Sequence, residues 1–424
     1  MIDHGDGILP SLDFENLKVI SAVGRGAKGV VFLARAGDRS CSECLALKAI
    51  SKALIQKKEE AYGEYKRVSF ELEVLRRFDH PLLPRLRGVL ETDGIVAFAM
   101  DFCHGGNLHS LRKKQTEKMF ADDTIRFYAV ELVLALEYLH GLGIVYRDLK
   151  PENVMIQENG HIMLVDFDLS KKLKPKSPQS TSHKSSSPNS SAKKPARKRR
   201  LSWLNINCNS GILPCELDSV EPQPESTRRG ESDSVEKSNS FVGTEEYVAP
   251  EVVAGQGHGF GVDWWSLGVV LYEMLYGTTP FKGENRKETF LGILTKEPEL
   301  TGEKTALRDL IGRLLEKDPD RRITVGEIKS HDFFKGVKWD TVLQIARPPY
   351  IPCNEVEDAV GLSKQEVEIF VHGVFFPEGN DDRREKNEKV EEKNGGNEEN
   401  NSNKKVWSDK LSHRPTQNDD FLIF

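Results

Sequence analysis

The sequence reads as an α+β protein of two lobes, a small strand-rich one followed by a larger helical one. Three observations point that way. Between Leu17 and Met100, short apolar runs such as Leu17-Lys-Val-Ile-Ser-Ala-Val23 and Ile95-Val-Ala-Phe-Ala-Met100 alternate or carry β-branched residues and are broken by glycines, as strands are. From Asp123 to His140 the residues Ile125, Tyr128, Ala129, Leu132, Val133, Leu136 and Leu139 keep helical spacing. At 424 residues and 38% hydrophobic content the chain can bury a large core, and its length suits two lobes better than many domains.

Composition excludes several classes. Mean hydropathy is negative. No run approaches the roughly 18 apolar residues of a membrane span, and the start, Met-Ile-Asp-His-Gly-Asp, lacks the charge and apolar core of a signal peptide. An intracellular protein is expected. Six scattered cysteines are too few and irregular for a disulfide framework, and Cys41-Ser-Glu-Cys44 has no second pair to complete a zinc site. The net charge of −6 conceals a basic middle segment and an acid-rich tail.

The chemistry sits in two short stretches: Gly143-Ile-Val-Tyr-Arg-Asp-Leu-Lys-Pro-Glu-Asn-Val-Met-Ile156 and Leu164-Val-Asp-Phe-Asp168. Phosphoryl transfer from ATP needs a carboxylate beside the accepting hydroxyl, oxygen ligands for magnesium and a cation for the moving phosphate. Asp148 would take the hydroxyl proton, Lys150 would face the phosphate, and Asn153 with Asp166 would hold magnesium. A lone Arg-Asp reads as a surface ion pair, whereas the full string Arg-Asp-Leu-x-x-x-Asn is highly specific.

On these residues the chain resembles a eukaryotic protein kinase of the AGC group, in which Tyr146 replaces the common His before Arg147. More narrowly it resembles plant AGC kinases of class VIII, where Asp-Phe-Asp stands for Asp-Phe-Gly and a long insertion splits the activation segment, and among them the UNICORN-like and oxidative-signal-inducible-like members. The likeness covers about residues 14 to 170, 238 to 352 and the last four. It implies the bilobal kinase fold: an N-terminal extension over 1–13, a small lobe over 14–100, a large lobe over 101–334 interrupted by a disordered insertion over 171–237, and an AGC C-terminal extension over 335–424. It also implies ATP and Mg2+ as cofactors and Ser/Thr protein substrates, Lys150 favouring that class over tyrosine kinases.

Taken in order, the run Val23-Gly-Arg-Gly-Ala-Lys-Gly-Val-Val31 joins two strands. The same glycines precede a helix in dinucleotide folds, but here β-branched residues follow. A hairpin is expected, with Gly24, Arg25, Gly26, Ala27, Lys28 and Gly29 over the ATP phosphates and Val23 and Val31 near the nucleotide. Lys48 lies in the apolar strand Cys44-Leu-Ala-Leu-Lys-Ala-Ile50, where a buried ammonium needs a partner. By resemblance it binds the α- and β-phosphates and pairs with Glu71, Glu73 being the alternative. Met100 corresponds to the gatekeeper, and the backbone of Asp101 and Cys103 reads the adenine edge.

After Asp168 the composition turns Ser-, Pro-, Lys- and Arg-rich, too polar to fold alone. Its cluster Lys193-Lys-Pro-Ala-Arg-Lys-Arg-Arg200 reads as a solvated charge run, a signal for a nuclear import receptor, or an anionic-lipid site; no nucleic-acid-reading fold accompanies it, so DNA binding is not expected. Cytoplasm and nucleus are the expected locations, with the plasma membrane periphery as the alternative. Ser240, in Ser238-Asn-Ser-Phe-Val-Gly-Thr-Glu-Glu-Tyr-Val-Ala-Pro-Glu251, falls where AGC kinases carry the activation-loop phosphate, with Arg147 as its cation. Asp263 would cap the catalytic loop, and Arg322 would pair with Glu251. Glu152, Glu273 and Thr244 fall at substrate-contacting positions, and Asn107 replaces a third acid.

Beyond Phe334, Trp339-Asp and Arg347-Pro-Pro-Tyr-Ile-Pro352 resemble the start of an extension returning over the small lobe, and residues 379–403 read as a flexible tether. The chain ends Phe421-Leu-Ile-Phe424. Aromatics ending a polar tail would be costly in water, so Phe421 and Phe424 are expected to fill a pocket, either in this small lobe or in an upstream phosphoinositide-dependent protein kinase. The protein is expected to be a monomer. A pseudokinase scaffold is the competing reading, and Asp168, which removes a glycine and adds charge beside the metal, is the main departure from the common pattern.

Overall fold

The computed structural model describes residues 12–26, 28–36, 43–57, 61–173, 237–240, 242–344, 361–376 and 422–423. Ala27, the basic cluster 193–200, Phe421 and Phe424 lie outside the described residues.

The small lobe is one twisted sheet with helices packed on it. Strands β1 (Leu17–Arg25), β2 (Gly29–Ala36) and β3 (Glu43–Ser51) are followed by helices α1 (Lys52–Lys57) and α2 (Ala61–Leu75), then by β4 (Leu86–Glu91) and β5 (Ile95–Asp101). The antiparallel ladder runs β1-β2-β3-β5-β4. Its register places Lys48 opposite Val31 on one side and Phe98 on the other. With a side-chain period of two, Leu45, Leu47 and Ala49 face outward into an apolar layer, while Ala46, Lys48 and Ile50 face the interlobe cleft. Gly29 must be glycine, because a Cβ there would sit 2.6 Å from the Ala49 carbonyl oxygen.

The large lobe starts with α3 (Leu108–Lys113) and the long α4 (Asp122–Gly141), whose expected apolar positions are buried. Strands β6 (Ile144–Val145), β7 (Val154–Ile156), β8 (Ile162–Leu164) and β9 (Lys171–Lys172) form two small ladders, β6 with β9 and β7 with β8. These ladders hold the two chemistry-bearing stretches side by side. Helices α5 (Pro250–Val253), α6 (Gly261–Tyr276), α7 (Arg286–Thr295), α8 (Ala306–Leu314) and α9 (Val325–Ser330) complete the lobe. The core helix α6 approaches α8 so closely that a Cβ on Gly268 would meet the Leu314 Cβ at 2.8 Å. Among the described residues, no helix is long and apolar enough to cross a membrane.

The last long element was not foreseen as a helix. After residue 361 the chain returns to the small lobe through a bridge between Leu362 and Val19, and α10 (Lys364–Phe375) covers the outer face of the sheet. Val367 and Val371 are fully buried there, and the Phe370 ring meets Phe32 edge-on at 5.6 Å. The sequence carries the signal: Ser363 and Glu366 form a capping box, and Val367, Phe370, Val371 and Val374 keep helical spacing. Finally, β10 (Leu422–Ile423) runs parallel to β1 beside Gly24 and Arg25.

Candidate active site

A cleft of about 680 Å³ lies between the lobes, roofed by Gly26, Lys28 and Gly29 and floored by Met155, Val165 and Asp166. The roof is a hairpin closed by the Gly26 amide donating to the Gly29 carbonyl at 2.9 Å. Val23, Val31 and Ala46 line its apolar end, and Met100, Asp101 and Cys103 line the linker between lobes. Burial pushes the Cys103 thiol far above its usual range, so it is an inert packing group against Met155 and Met163. The Asp101 side chain turns away from the cleft to accept from Arg85 N and Arg87 Nε.

Lys48 spans the cleft. Its ammonium lies 2.7 Å from Glu71 Oε1 on α2 and 3.0 Å from Asp166 Oδ1 in the large lobe. Burial alone would favour loss of its proton, but the Asp166 and Glu71 carboxylates outweigh that and hold Lys48 charged, well above its ordinary range. Burial raises the Glu71 carboxyl and would raise Asp166 too, yet Lys48 overcomes it there and keeps Asp166 below the usual carboxylate value. Glu73, the alternative partner, instead forms an exposed ion pair with Arg77 one helical turn on.

The catalytic loop is held from beneath. Phe167 is buried between Phe78 and Tyr146, with ring centroids 4.7 and 5.4 Å away. Asp166 and Arg147 both take positive φ, 59° and 70°, at some backbone cost; the Asp166 side chain lines the cleft, and that of Arg147 reaches the activation segment. Asp148 is 6% exposed and surrounded by donors. Asn153 Nδ2 donates to its backbone oxygen and to Oδ2, each at 3.0 Å; Lys150 Nζ also lies 3.0 Å from Oδ2; and the Thr244 hydroxyl donates to Oδ1 at 2.6 Å. The Thr244 hydroxyl therefore occupies the side of Asp148 where an accepting hydroxyl would bind.

Asn153 also bears on the metal. Its amide nitrogen is fixed by Asp148, and its Oδ1 is buried with no hydrogen-bond partner among the described residues. A buried acceptor left over in this way costs free energy unless something fills it. No group of three His, Cys, Asp or Glu that could hold a metal exists among the described residues. Two protein oxygens, Asn153 Oδ1 and Asp166, suit magnesium, which takes its remaining ligands from water and substrate phosphates.

The other expected residues separate into distinct places. Arg147 Nη1 lies 2.6 Å from Ser240 Oγ and 3.3 Å from Ser238 Oγ, while its Nε donates to the Leu169 carbonyl. Lys171 Nζ, which the sequence reading overlooked, donates to Ser238 Oγ at 3.3 Å because β9 brings it there. Glu251 and Arg322 form a buried two-pronged pair at 2.7 and 2.9 Å. Glu273 is buried, with one oxygen on Arg112 at 2.6 Å and the other on the Tyr247 hydroxyl at 2.5 Å. Glu152 lies nearby with His109 Nδ1 3.0 Å from its Oε1, and both acids line a groove of about 710 Å³ beside the cleft. Burial would raise Glu152, but His109 outweighs it and holds the carboxyl low. Asn107 spends its side chain capping α3.

A glycine hairpin over a cleft, a lysine joining a helix acid to Asp166, and Asp148 beside Asn153 together define a two-lobed ATP-dependent phosphotransferase. Comparison with known proteins agrees. Residues 17–190 and 227–334 match the protein kinase domain family. The serine/threonine-protein kinase OXI1 of Arabidopsis thaliana is 57% identical over 397 residues, 90% of this chain and 91% of that protein. The Arabidopsis kinases UCN and UCNL are 42% and 43% identical, over 84% and 81% of this chain and 88% and 85% of theirs. The chain belongs to the protein kinase family, in its plant AGC group.

Proposed function

We propose that the protein is an active serine/threonine protein kinase of plant intracellular signalling, transferring the γ-phosphate of ATP to protein hydroxyls. The carrying observation is the shared Lys48 ammonium, 2.7 Å from Glu71 and 3.0 Å from Asp166, which joins the two lobes in one arrangement around the phosphate site. The hairpin from Gly26 to Gly29 covers the phosphates, and Lys48 orients them. Asn153 Oδ1 and Asp166 would hold magnesium, which would supply charge to offset that of the phosphates. Asp148 Oδ1 accepts the proton of the incoming hydroxyl, and Lys150, 3.0 Å from Oδ2, faces the transferring group. Incubating the purified protein with labelled ATP and a protein substrate, followed by phosphoamino-acid analysis, tests this. Label on serine and threonine is expected; label on tyrosine alone would contradict it.

Substrate choice rests on the groove beside the cleft. With Glu273 engaged by Arg112 and Tyr247, Glu152 is the acid left to meet a basic side chain, its Oε2 being buried without a hydrogen-bond partner among the described residues. Asn107 supplies no charge. Basic residues close to the acceptor should be favoured, with little demand at the third position before it. A peptide library without any basic preference would count against this.

Activation rests on Ser240. A phosphate there meets Arg147 and lies next to Ser238, which Lys171 already contacts, so charge-assisted bonds would order the segment. The terminal Phe421 and Phe424 recruit a phosphoinositide-dependent kinase that adds this phosphate. Deleting the last four residues should abolish that interaction and reduce phosphate on Ser240. Normal phosphate after the deletion would leave the terminus with an intramolecular role beside β1, where Leu422 and Ile423 lie.

The cluster Lys193–Arg200 directs the protein to the nucleus through an import receptor, and otherwise holds it at anionic membrane. Neutralising it distinguishes these: loss from the nucleus supports import, and loss from the cell periphery supports lipid attraction.

A further inference from the structure

The segment Asp166-Phe167-Asp168 offers the cleft two carboxylates, and the small lobe answers each with a lysine. Lys48 meets Asp166 at 3.0 Å; Lys28, at the tip of the glycine hairpin, meets both Asp168 oxygens at 2.8 Å. The second pair crosses the mouth of the cleft and is mostly shielded from water, the two side chains being 12% and 22% exposed. Asp168 is not among the described residues with positive φ, so this conformation makes no use of a glycine's freedom there. What a carboxylate at this position adds is charge and a hydrogen-bond acceptor.

That charge would be a liability by itself. Asp148, Asp166 and Glu71 already line the cleft that must receive a triphosphate, each within 3.0 Å of a lysine, and a further carboxylate with no cation beside it would repel the nucleotide. Lys28 cancels the charge and also ties the hairpin down. The hairpin has a firm base, because Gly29 is pressed against the Ala49 backbone and the Gly26 amide bonds the Gly29 carbonyl. Whatever holds the Lys28 side chain therefore holds the roof. On the floor, Phe167 is buried between Phe78 and Tyr146, which fixes where Asp168 stands.

We propose that Lys28 and Asp168 form an electrostatic latch that holds the glycine hairpin closed over the phosphate site, so that both act as positioning residues for ATP. This rests on the kinase reading above. Breaking the latch loosens the roof and weakens ATP binding while leaving Asp148 and its donors in place. The loss therefore falls on KM for ATP rather than on kcat. The two residues act as a unit, so removing both costs no more than removing one.

The test uses the full chain and four variants: Lys28→Ala, Asp168→Asn, the double variant and Lys28→Arg. Each of the first two should raise KM for Mg·ATP by about threefold to tenfold, as expected for a partly shielded ion pair. The double variant should match the worse single one, and Lys28→Arg should stay near wild type. Without nucleotide, amide hydrogen exchange in residues 24–29 should quicken in Asp168→Asn, a change remote in sequence from the substitution. Multiplying effects in the double variant would overturn the latch, as would unchanged exchange. An Asp168→Asn variant with lower KM beside a Lys28→Ala variant with higher KM would assign Lys28 directly to the phosphates and also overturn it. The exchange arm does not depend on phosphotransfer, so absence of kinase activity in the wild type would count against the kinase reading alone.

Discussion

The fully buried carboxylate of Asp263 accepts the backbone amide of Arg147 at 2.7 Å, and Arg147 takes φ of 70° where it does so. Asp263 Oδ2 accepts the Tyr146 amide at 2.9 Å and lies 2.8 Å from His140 Nε2. One side chain on α6 thus pins the turn that presents Asp148. Asp263→Ala would leave two backbone donors without an acceptor in the core, at about 3 kcal/mol or more. Thermal unfolding should show the large lobe melting earlier, and an unchanged melting temperature would contradict the assignment.

The Lys48 environment dictates which variant can test its role. Lys48→Glu would set three carboxylates together in a dry site and disturb the fold. Lys48→Met keeps the volume and removes the cation. It should lower kcat/KM by about 10²-fold or more while circular dichroism stays native. Asp166→Asn should do the same through loss of the metal ligand. Wild-type rates in either variant would refute these roles.

His258 gives the protein an acid-side weakness. Its backbone pairs with Ser238, its ring is buried, and burial together with Arg147 lowers its pKa from 6.5 to about 4. Between those values the unfolded chain binds more protons than the folded one, so stability rises with pH across about 4 to 6.5 and is fully present above it. The loss on acidification is at most about 3 kcal/mol. In urea titrations His258→Gln should flatten the slope of stability across that window. An equally steep slope would place the effect elsewhere.

Helix α10 should act as part of the small lobe. Val371 is fully buried against the outer sheet layer, so Val371→Ala should cost about 2 kcal/mol in stability. The neighbouring Ile369 is 65% exposed, and Ile369→Ala should cost far less. Equal effects of the two changes would mean that α10 does not pack as described.

What could be read from the sequence was what local spacing encodes. The string from Arg147 to Asn153 and the Asp166 segment carry their chemistry within a few residues, and Lys48 advertised itself as one charge in an apolar strand. Its need for a partner left both Glu71 and Glu73 open, and the family resemblance selected Glu71. What escaped depends on where distant segments meet. Nothing near Lys28 announces Asp168, 140 positions on, because the contact exists only once the lobes close on each other. Lys171 looked like the start of a polar insertion, yet pairing of its strand with Ile144–Val145 brings it to Ser238. Glu273 read as an open substrate acid, but the fold surrounds it with Arg112 and Tyr247. Helix α10 could have been found from its capping box and apolar spacing, although the polar segments around it masked both.

The most direct measurement is the initial rate of phosphate transfer from labelled ATP to a serine-containing basic peptide, by the wild-type protein and by Asp148→Asn. In Asp148→Asn the remaining carbonyl oxygen can still accept from Asn153 and Lys150 while the new amide NH2 donates to the Thr244 hydroxyl, so the variant should fold and bind ATP normally. The account predicts measurable transfer by the wild type and a rate lower by about 10²-fold or more in the variant. Equal rates in the two proteins, or no transfer by the wild type phosphorylated on Ser240, would contradict it.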